Sequence, residues 1–134
     1  FKNINITVFG LGYVGLPLFI EFAKNFKTIG FDKNKSKIVD LNNSIDKTGE
    51  LSKSQIKYLK KLSITNNLRD LKKTDIFIVA VPTPINNLKN PDLRIIIDAT
   101  KTIGKITSPE IKAINVSART TEIEILPIDI LSGR

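Results

Sequence analysis

The segment Gly10-Leu11-Gly12-Tyr13-Val14-Gly15 constrains the fold of this chain more than any other. It follows a short β-branched run, Ile4-Asn5-Ile6-Thr7-Val8-Phe9. It precedes apolar residues at helical spacing, Val14, Leu18, Phe22 and Phe26, with Ile20 and Ala23 nearby. A G-x-G-x-x-G pattern between a strand and a helix is the setting in which a dinucleotide pyrophosphate is held. Gly10 permits the tight turn, Gly12 lacks a Cβ and so lets phosphates approach the backbone, and Gly15 lets the helix pack close to the strand. The N-terminal amides and dipole of the helix then face the phosphate charge. Pro17 falls in the first helical turn, where its missing N–H breaks no intrahelical bond. The bland alternative is a strand–turn–helix whose glycines serve packing only.

Asp32 completes the unit. It ends a second strand, Lys27 to Phe31, about twenty residues further on, where a carboxylate accepts hydrogen bonds from adenosine ribose hydroxyls. A carboxylate there repels a 2′-phosphate and favours NAD over NADP, although Lys33, Lys35 and Lys37 are cations that can compensate.

The rest of the chain keeps alternating. A lysine-rich helix is expected from about Asn34 to Leu41, then a loop from Asn42 to Glu50. Ser52-Lys53-Ser54-Gln55 has the form of a capping box, with Ile56 and Leu59 as the apolar face behind it. Ser63-Ile64-Thr65 reads as a short strand, and Leu68 and Leu71 as a helical turn or two. Asp75 to Val81 is the clearest buried strand, ended by Pro82 and Pro84. Asp92 caps a helix whose face is Leu93, Ile96, Ile97, Thr100 and Ile103. Thr107 to Glu110 reads as a turn and Ile111 to Ser117 as a last strand. Thr121 with Glu124 has the form of a cap for a final helix, bent or interrupted by Pro127. Strands alternating with helices call for a doubly wound parallel α/β sheet of Rossmann type. If Asp75–Val81 is the fourth strand, the Val81-Pro82-Thr83-Pro84 loop sits beside the glycine loop, at the switch in strand order where ligands bind. There Thr83 offers a hydroxyl to cofactor or water; the alternative is a plain rigid turn.

Composition removes several chemistries. The chain has 134 residues, a length that suits one domain, and neither cysteine nor histidine. Disulfides, thiolate metal sites and a cysteine nucleophile are therefore excluded within it, and no metal site is expected. No apolar run approaches the roughly 18 residues of a membrane helix, and no secretory leader is visible. The expectation is a cytoplasmic protein without a membrane partner. Phe1 in place of methionine points to a trimmed or engineered start. The net charge of +8 fits a solvated lysine-rich face. The lysines are scattered and not interleaved with aromatic residues, so nucleic acid is not the expected partner.

Five segments in order resemble one family. Gly10 to Leu18 is similar to the opening of the UDP-glucose/GDP-mannose dehydrogenases. So are Ile29-Gly30-Phe31-Asp32 with Asn34 and Lys37, Asp46-Lys47-Thr48-Gly49-Glu50, Val81-Pro82-Thr83-Pro84-Ile85, and Asn90-Pro91-Asp92-Leu93. The spacing resembles the branch that oxidises UDP-N-acetylhexosamines for capsule, Vi-antigen and O-antigen sugars. The resemblance implies an NAD-dependent 6-dehydrogenase that takes a sugar C6 alcohol to the acid in two oxidations, with a thioester on a cysteine between them. By position, Gly10, Leu11, Gly12, Tyr13, Val14, Gly15, Asp32 and Lys37 hold the cofactor, Lys37 near the adenosine ribose. Val81, Pro82 and Thr83 line the nicotinamide side, Ser117 keeps its place, and Thr83 is a possible auxiliary to catalysis. Glu50 lies in a family loop without an assigned role.

The likeness weakens near the end. Val116 stands where the family has Glu and Ala118 where it has Thr; a Tyr-Pro-Gly turn is missing, and Thr120-Thr121-Glu122 resumes the match. The resemblance thus implies the NAD-binding domain, residues 1–134, of a longer homodimeric enzyme whose connecting helix, UDP-binding domain and cysteine lie elsewhere. The fragment alone is expected to bind NAD without turning over sugar. Two alternatives stay open: another β-hydroxyacid-type dehydrogenase, and a non-catalytic or degenerate nucleotide-binding module.

Overall fold

A strand apolar at nearly every position cannot leave either face to water. Ile6-Thr7-Val8-Phe9 and Ile76-Phe77-Ile78-Val79 are of this kind, and the fold covers both of their faces. The computed structural model describes residues 3–107 and the backbone of 112–115 and 124–126. Strands β1 (Asn5–Phe9), β2 (Lys27–Phe31), β3 (Ser63–Thr65), β4 (Ile76–Val79), β5 (Lys112–Asn115) and β6 (Glu124–Leu126) form one sheet in the order β3-β2-β1-β4-β5-β6. The first five are parallel and β6 runs antiparallel to β5. Helices α1 (Gly15–Ala23), α2 (Lys35–Asn42), α3 (Lys53–Leu59) and α4 (Arg94–Ile106) lie between them in sequence, with a 3-10 turn at Leu68–Leu71. This is the expected Rossmann-type arrangement, and the strand order reverses between β1 and β4.

Alternation along the strands sorts the core into two layers. Ile6, Val8, Ile64, Ile78 and Ala80 pack with Leu16, Phe19 and Ile20 of α1 and with Ile38, Leu41 and Leu59 of α2 and α3. Phe9, Phe31, Phe77 and Val79 pack on the opposite side with Leu71 and with Ile96, Ala99 and Ile103 of α4. The Phe9 and Phe31 rings meet at 4.4 Å between centroids. Full burial of each such side chain is worth about 1.5–3 kcal/mol.

A polar pair sits in this core. Thr7 and Thr74 are buried, and their hydroxyls lie 2.6 Å apart. A buried hydroxyl stripped of its partner costs about 1–3 kcal/mol. Thr74→Val should therefore destabilise the chain by that amount in urea unfolding, whereas Thr7→Val/Thr74→Val together should cost less than the sum of the singles. Additive losses would show that the pair is not coupled.

Several elements depart from the expected pattern. The stretch read as a final helix contains β6 instead, because the edge of β5 offers unpaired backbone groups that Glu124–Leu126 satisfies. The turn from Thr107 to Glu110 lies largely outside the described residues, as do Ser117 and the departures at Val116 and Ala118. In α1 the deepest residues are Leu16, Phe19 and Ile20, while Phe22 and Phe26 only border the core. In α4 the buried stripe is Ile96, Ala99, Thr100 and Ile103; Leu93 and Ile97 are exposed. That stripe follows helical spacing; Ile97 lies to one side of it, and Leu93 precedes the first helical residue. Asp92 lies just outside the helix, whose N-terminal boundary residue is Leu93, and accepts the Arg94 backbone N–H at 3.1 Å. The Arg94 side chain, and then its backbone N–H, hydrogen-bond the Asp92 carboxyl and hold it down at about 2. The capping box forms as read: Ser52 accepts from the Gln55 backbone, and the Gln55 side chain accepts from Ser52 N–H at 2.9 Å.

Candidate functional site

The carboxyl ends of β1, β2 and β4 converge. Gly10 N–H donates to the Phe31 carbonyl and Ala80 N–H to that of Phe9, each at 2.8 Å, so the strands remain tied where they run into their loops. Beyond them opens a cleft of about 580 Å³. Gly10, Leu11, Gly12, Tyr13 and Val14 line one side, Asp32 and Lys37 another, and Val81, Pro82 and Thr83 a third. Three stretches far apart in sequence, each expected to bind cofactor, thus meet in one cavity. Gly15 is not in that lining. Ser117 lies outside the described residues.

The three glycines play different parts. Gly10 has φ +104°, a conformation that other residues rarely adopt, and a Cβ there would lie 2.6 Å from the Ala80 carbonyl oxygen. A Cβ on Gly15 would lie 1.7 Å from the Gly10 carbonyl oxygen, so α1 is pressed directly against the loop. A Cβ on Gly12 would meet nothing within 4 Å. Its missing side chain therefore serves the open cleft, not the packing of the chain. No side chain caps α1, and its first turn holds no acidic residue. The positive end of the helix faces the cleft without a side-chain counter-charge.

Asp32 is the most constrained charged group here, with a side chain 12% exposed. Its Oδ2 accepts the Leu11 N–H at 3.0 Å and the Lys37 ammonium at 2.9 Å. Its Oδ1 accepts the Asn34 N–H at 2.9 Å. Leu11 itself is fully buried, so its backbone N–H acts by locking the carboxylate to the glycine loop. Asn34 caps α2 by accepting the Lys37 N–H, which orients Lys37 in turn. A carboxylate has room for about four acceptor bonds. With three in use, capacity on Oδ1 remains for a ligand hydroxyl. Tyr13 is exposed at the cleft.

Sequence reasoning left Ile95, Ala80 and Asn34 out of the site, and all three line the cleft. The usable signal for Ile95 was an isoleucine off the buried stripe of an amphipathic helix. Lys33 and Pro84, noted in the sequence for other reasons, line it too. Among the described residues no group of three His, Cys, Asp or Glu is placed to hold a metal, and no helix is long and apolar enough to cross a membrane.

The loop from Asp46 to Glu50 is built on Asp46. Its carboxylate accepts from Thr48 N–H at 2.8 Å, Thr48 Oγ1 at 2.6 Å and Leu51 N–H at 3.0 Å. Partial burial opposes its charge, but the Thr48 hydroxyl and the Leu51, Thr48 and Gly49 amides outweigh that and hold the carboxyl below its ordinary value of 3.8. A carboxyl lowered by folding stabilises above its unfolded value and loses that contribution as pH falls through the folded one. Asp46→Asn should therefore lower the urea midpoint at neutral pH, with the gap to the parent closing as pH falls below about 3.8. A gap constant down to pH 2 would show that the charge is not what holds the loop. Glu50 is exposed, and its N–H donates to Thr48 Oγ1 at 3.2 Å.

A glycine loop between β1 and α1, an acidic residue closing β2 and a cleft at the reversal of strand order together define a dinucleotide-binding Rossmann domain. Residues 4–124 match the UDP-glucose/GDP-mannose dehydrogenase family, NAD binding domain, and the chain belongs to that family. NAD is the cofactor of such domains. The chain is 47% identical over 105 residues to a UDP-N-acetyl-D-glucosamine 6-dehydrogenase of Pseudomonas aeruginosa, a match covering 78% of this chain and 25% of that protein. It is 42% identical over 129 residues to protein CapL of Staphylococcus aureus, covering 94% of this chain and 30% of the relative. The structure of a UDP-D-ManNAc dehydrogenase from Pyrococcus horikoshii superposes with a TM-score of 0.76 at 29% identity, over 85% of this chain and 28% of that one. The chain thus spans between a quarter and a third of the length of these three proteins.

Proposed function

We propose that the cleft binds NAD and that the polypeptide of which this domain is the cofactor half oxidises the C6 alcohol of a UDP-N-acetylhexosamine to the uronic acid. The observation that carries the cofactor reading is the contrast among the glycines. Gly10 and Gly15 are required by the chain's own backbone, whereas the space beside Gly12 is empty of protein and opens into the cleft. The pyrophosphate would lie over Gly12, Tyr13 and Val14 at the N-terminus of α1. The ribose hydroxyls would donate to Asp32, with Lys37 holding that carboxylate in place. The nicotinamide would lie toward Val81, Pro82 and Thr83.

NAD supplies the hydride acceptor when bound. The chain's residues hold and orient it, and the rigid Pro82 and Pro84 fix the wall behind it. Alcohol to acid is a four-electron oxidation, so each sugar consumes two NAD and one water. The named relatives support the sugar class. A cysteine for the covalent step must come from outside this chain, which has none. The same reading carries a homodimeric, cytoplasmic parent enzyme, Thr83 as an auxiliary near the reacting carbon, and a site half that includes Ser117.

Two measurements test it. Fluorescence titration should show NADH binding by the chain itself. The intact polypeptide, given NAD and UDP-N-acetylglucosamine, -galactosamine or -mannosamine, should form the acid from at least one of them. NADH binding without acid from any nucleotide sugar, UDP-glucose included, would leave a nucleotide-binding module and remove the dehydrogenase.

A further inference from the structure

Three lysines follow Asp32 closely, and a free cation beside an adenosine ribose invites a 2′-phosphate. Lys35 does not line the cleft. Lys37 does, but its ammonium is committed to Asp32 at 2.9 Å. Lys33 is the remaining cation of the three, and it borders the cleft directly after Asp32. Its ammonium is turned across the gap to α4, where it forms an ion pair with the Asp98 carboxylate. A second recess, lined by Lys33, Val81, Ile95 and Asp98 among others, joins the cleft at this place. The pair therefore bridges the loop after β2 and helix α4 at the rim of the ribose end.

This bridge does little for stability. Both side chains are more than half exposed, at 54% and 66%, and exposed ion pairs contribute little. Its position is what matters. We infer that Asp98 is a cofactor-specificity residue: by pairing with Lys33 it withholds from the ribose end a cation able to neutralise a 2′-phosphate, and adds a negative charge that repels one. Discrimination against NADPH then has two layers. Asp32 meets the 2′-hydroxyl directly, and Asp98 disarms the neighbouring lysine. The Lys33 hydrogen bond and charge, with Lys105 and Lys101 further along α4, hold the Asp98 carboxyl below its ordinary value, so Asp98 carries its charge at neutral pH.

The inference rests on the NAD reading above and deepens it. The test compares the parent chain with Asp98→Asn and with Lys33→Gln/Asp98→Asn by fluorescence titration of NADH and NADPH at low salt. Both positions are exposed, so the fold should be retained. Asp98→Asn should tighten NADPH binding by about fivefold relative to NADH, the scale of one surface charge contact released plus one repulsion removed. The double variant should lose that gain. An unchanged NADPH to NADH ratio in Asp98→Asn overturns the inference, as does an equal gain for both cofactors. A gain that survives in the double variant overturns it too, since Lys33 would not be the agent. A parent chain that binds neither cofactor overturns the NAD reading itself, which separates that failure from the other three.

Discussion

Gly15→Ala is expected to cost about 4 kcal/mol, a large share of the roughly 5–15 kcal/mol that keeps a typical domain folded. The added methyl would stand 1.7 Å from the Gly10 carbonyl oxygen and 3.1 Å from the Ala80 Cβ. The first neighbour is backbone, held by the Gly10 N–H bond to Phe31 at 2.8 Å. Relief would require α1 to lift off the sheet. That would open the contacts of Leu16, Phe19 and Ile20, all fully buried. Urea unfolding followed by far-ultraviolet circular dichroism reads the loss directly. A penalty under about 1 kcal/mol, the mean for an ordinary substitution, would mean that the close approach of helix and loop is not real.

Gly12→Asp should do the reverse, leaving the fold intact and abolishing cofactor binding. Apart from the adjoining residues Leu11 and Tyr13, no atom lies within 4 Å of the position its Cβ would take. The side chain would instead enter the cleft where the pyrophosphate is proposed to sit. A carboxylate about 4 Å from a phosphate charge is repelled by about 1 kcal/mol in water and about 4 kcal/mol at the effective dielectric of a protein surface. NADH affinity should fall by about a hundredfold within that range, before any steric exclusion is counted. Titration of the parent and Gly12→Asp chains, with matched unfolding curves, makes the comparison. Equal NADH affinity in the two would sink the assignment of this loop. Taken together, the two glycine variants separate a residue kept for packing from one kept for a ligand, which the G-x-G-x-x-G pattern by itself does not do.

Local chemistry made much of the domain legible. The β-branched run before Gly10, the capping box at Ser52 and Gln55, and the proline-terminated strand before Val81 all specify conformation through their own sterics and hydrogen bonds. The structure places the capping box as read, starts β1 at Asn5, and ends β4 at Val79, two residues short of the expected Val81. The elements that misled lacked such local definition. Glu124–Leu126 became a strand because a sheet edge lay open to it, and no residue within the segment announces that edge. Ile97 carries the right polarity for the face of α4, but helix rotation on the sheet is set by which stripe fits best, and Ile96, Ala99 and Ile103 took it.

The glycine loop, Asp32 and the alternation of strands with helices were determined by the sequence alone, because tight turns, β-branched runs and helix caps act over a few residues. Only the tertiary structure decided what the lysines after Asp32 do. Lys37 folds back onto Asp32, five positions away, but Lys33 reaches Asp98, sixty-five positions along the chain. Charge composition gives the number of cations and not their partners, because an ion pair depends on distances that exist only once α4 has packed across β4. In the same way three separate stretches, each a candidate for cofactor binding, became one cleft when the sheet brought the ends of β1, β2 and β4 side by side.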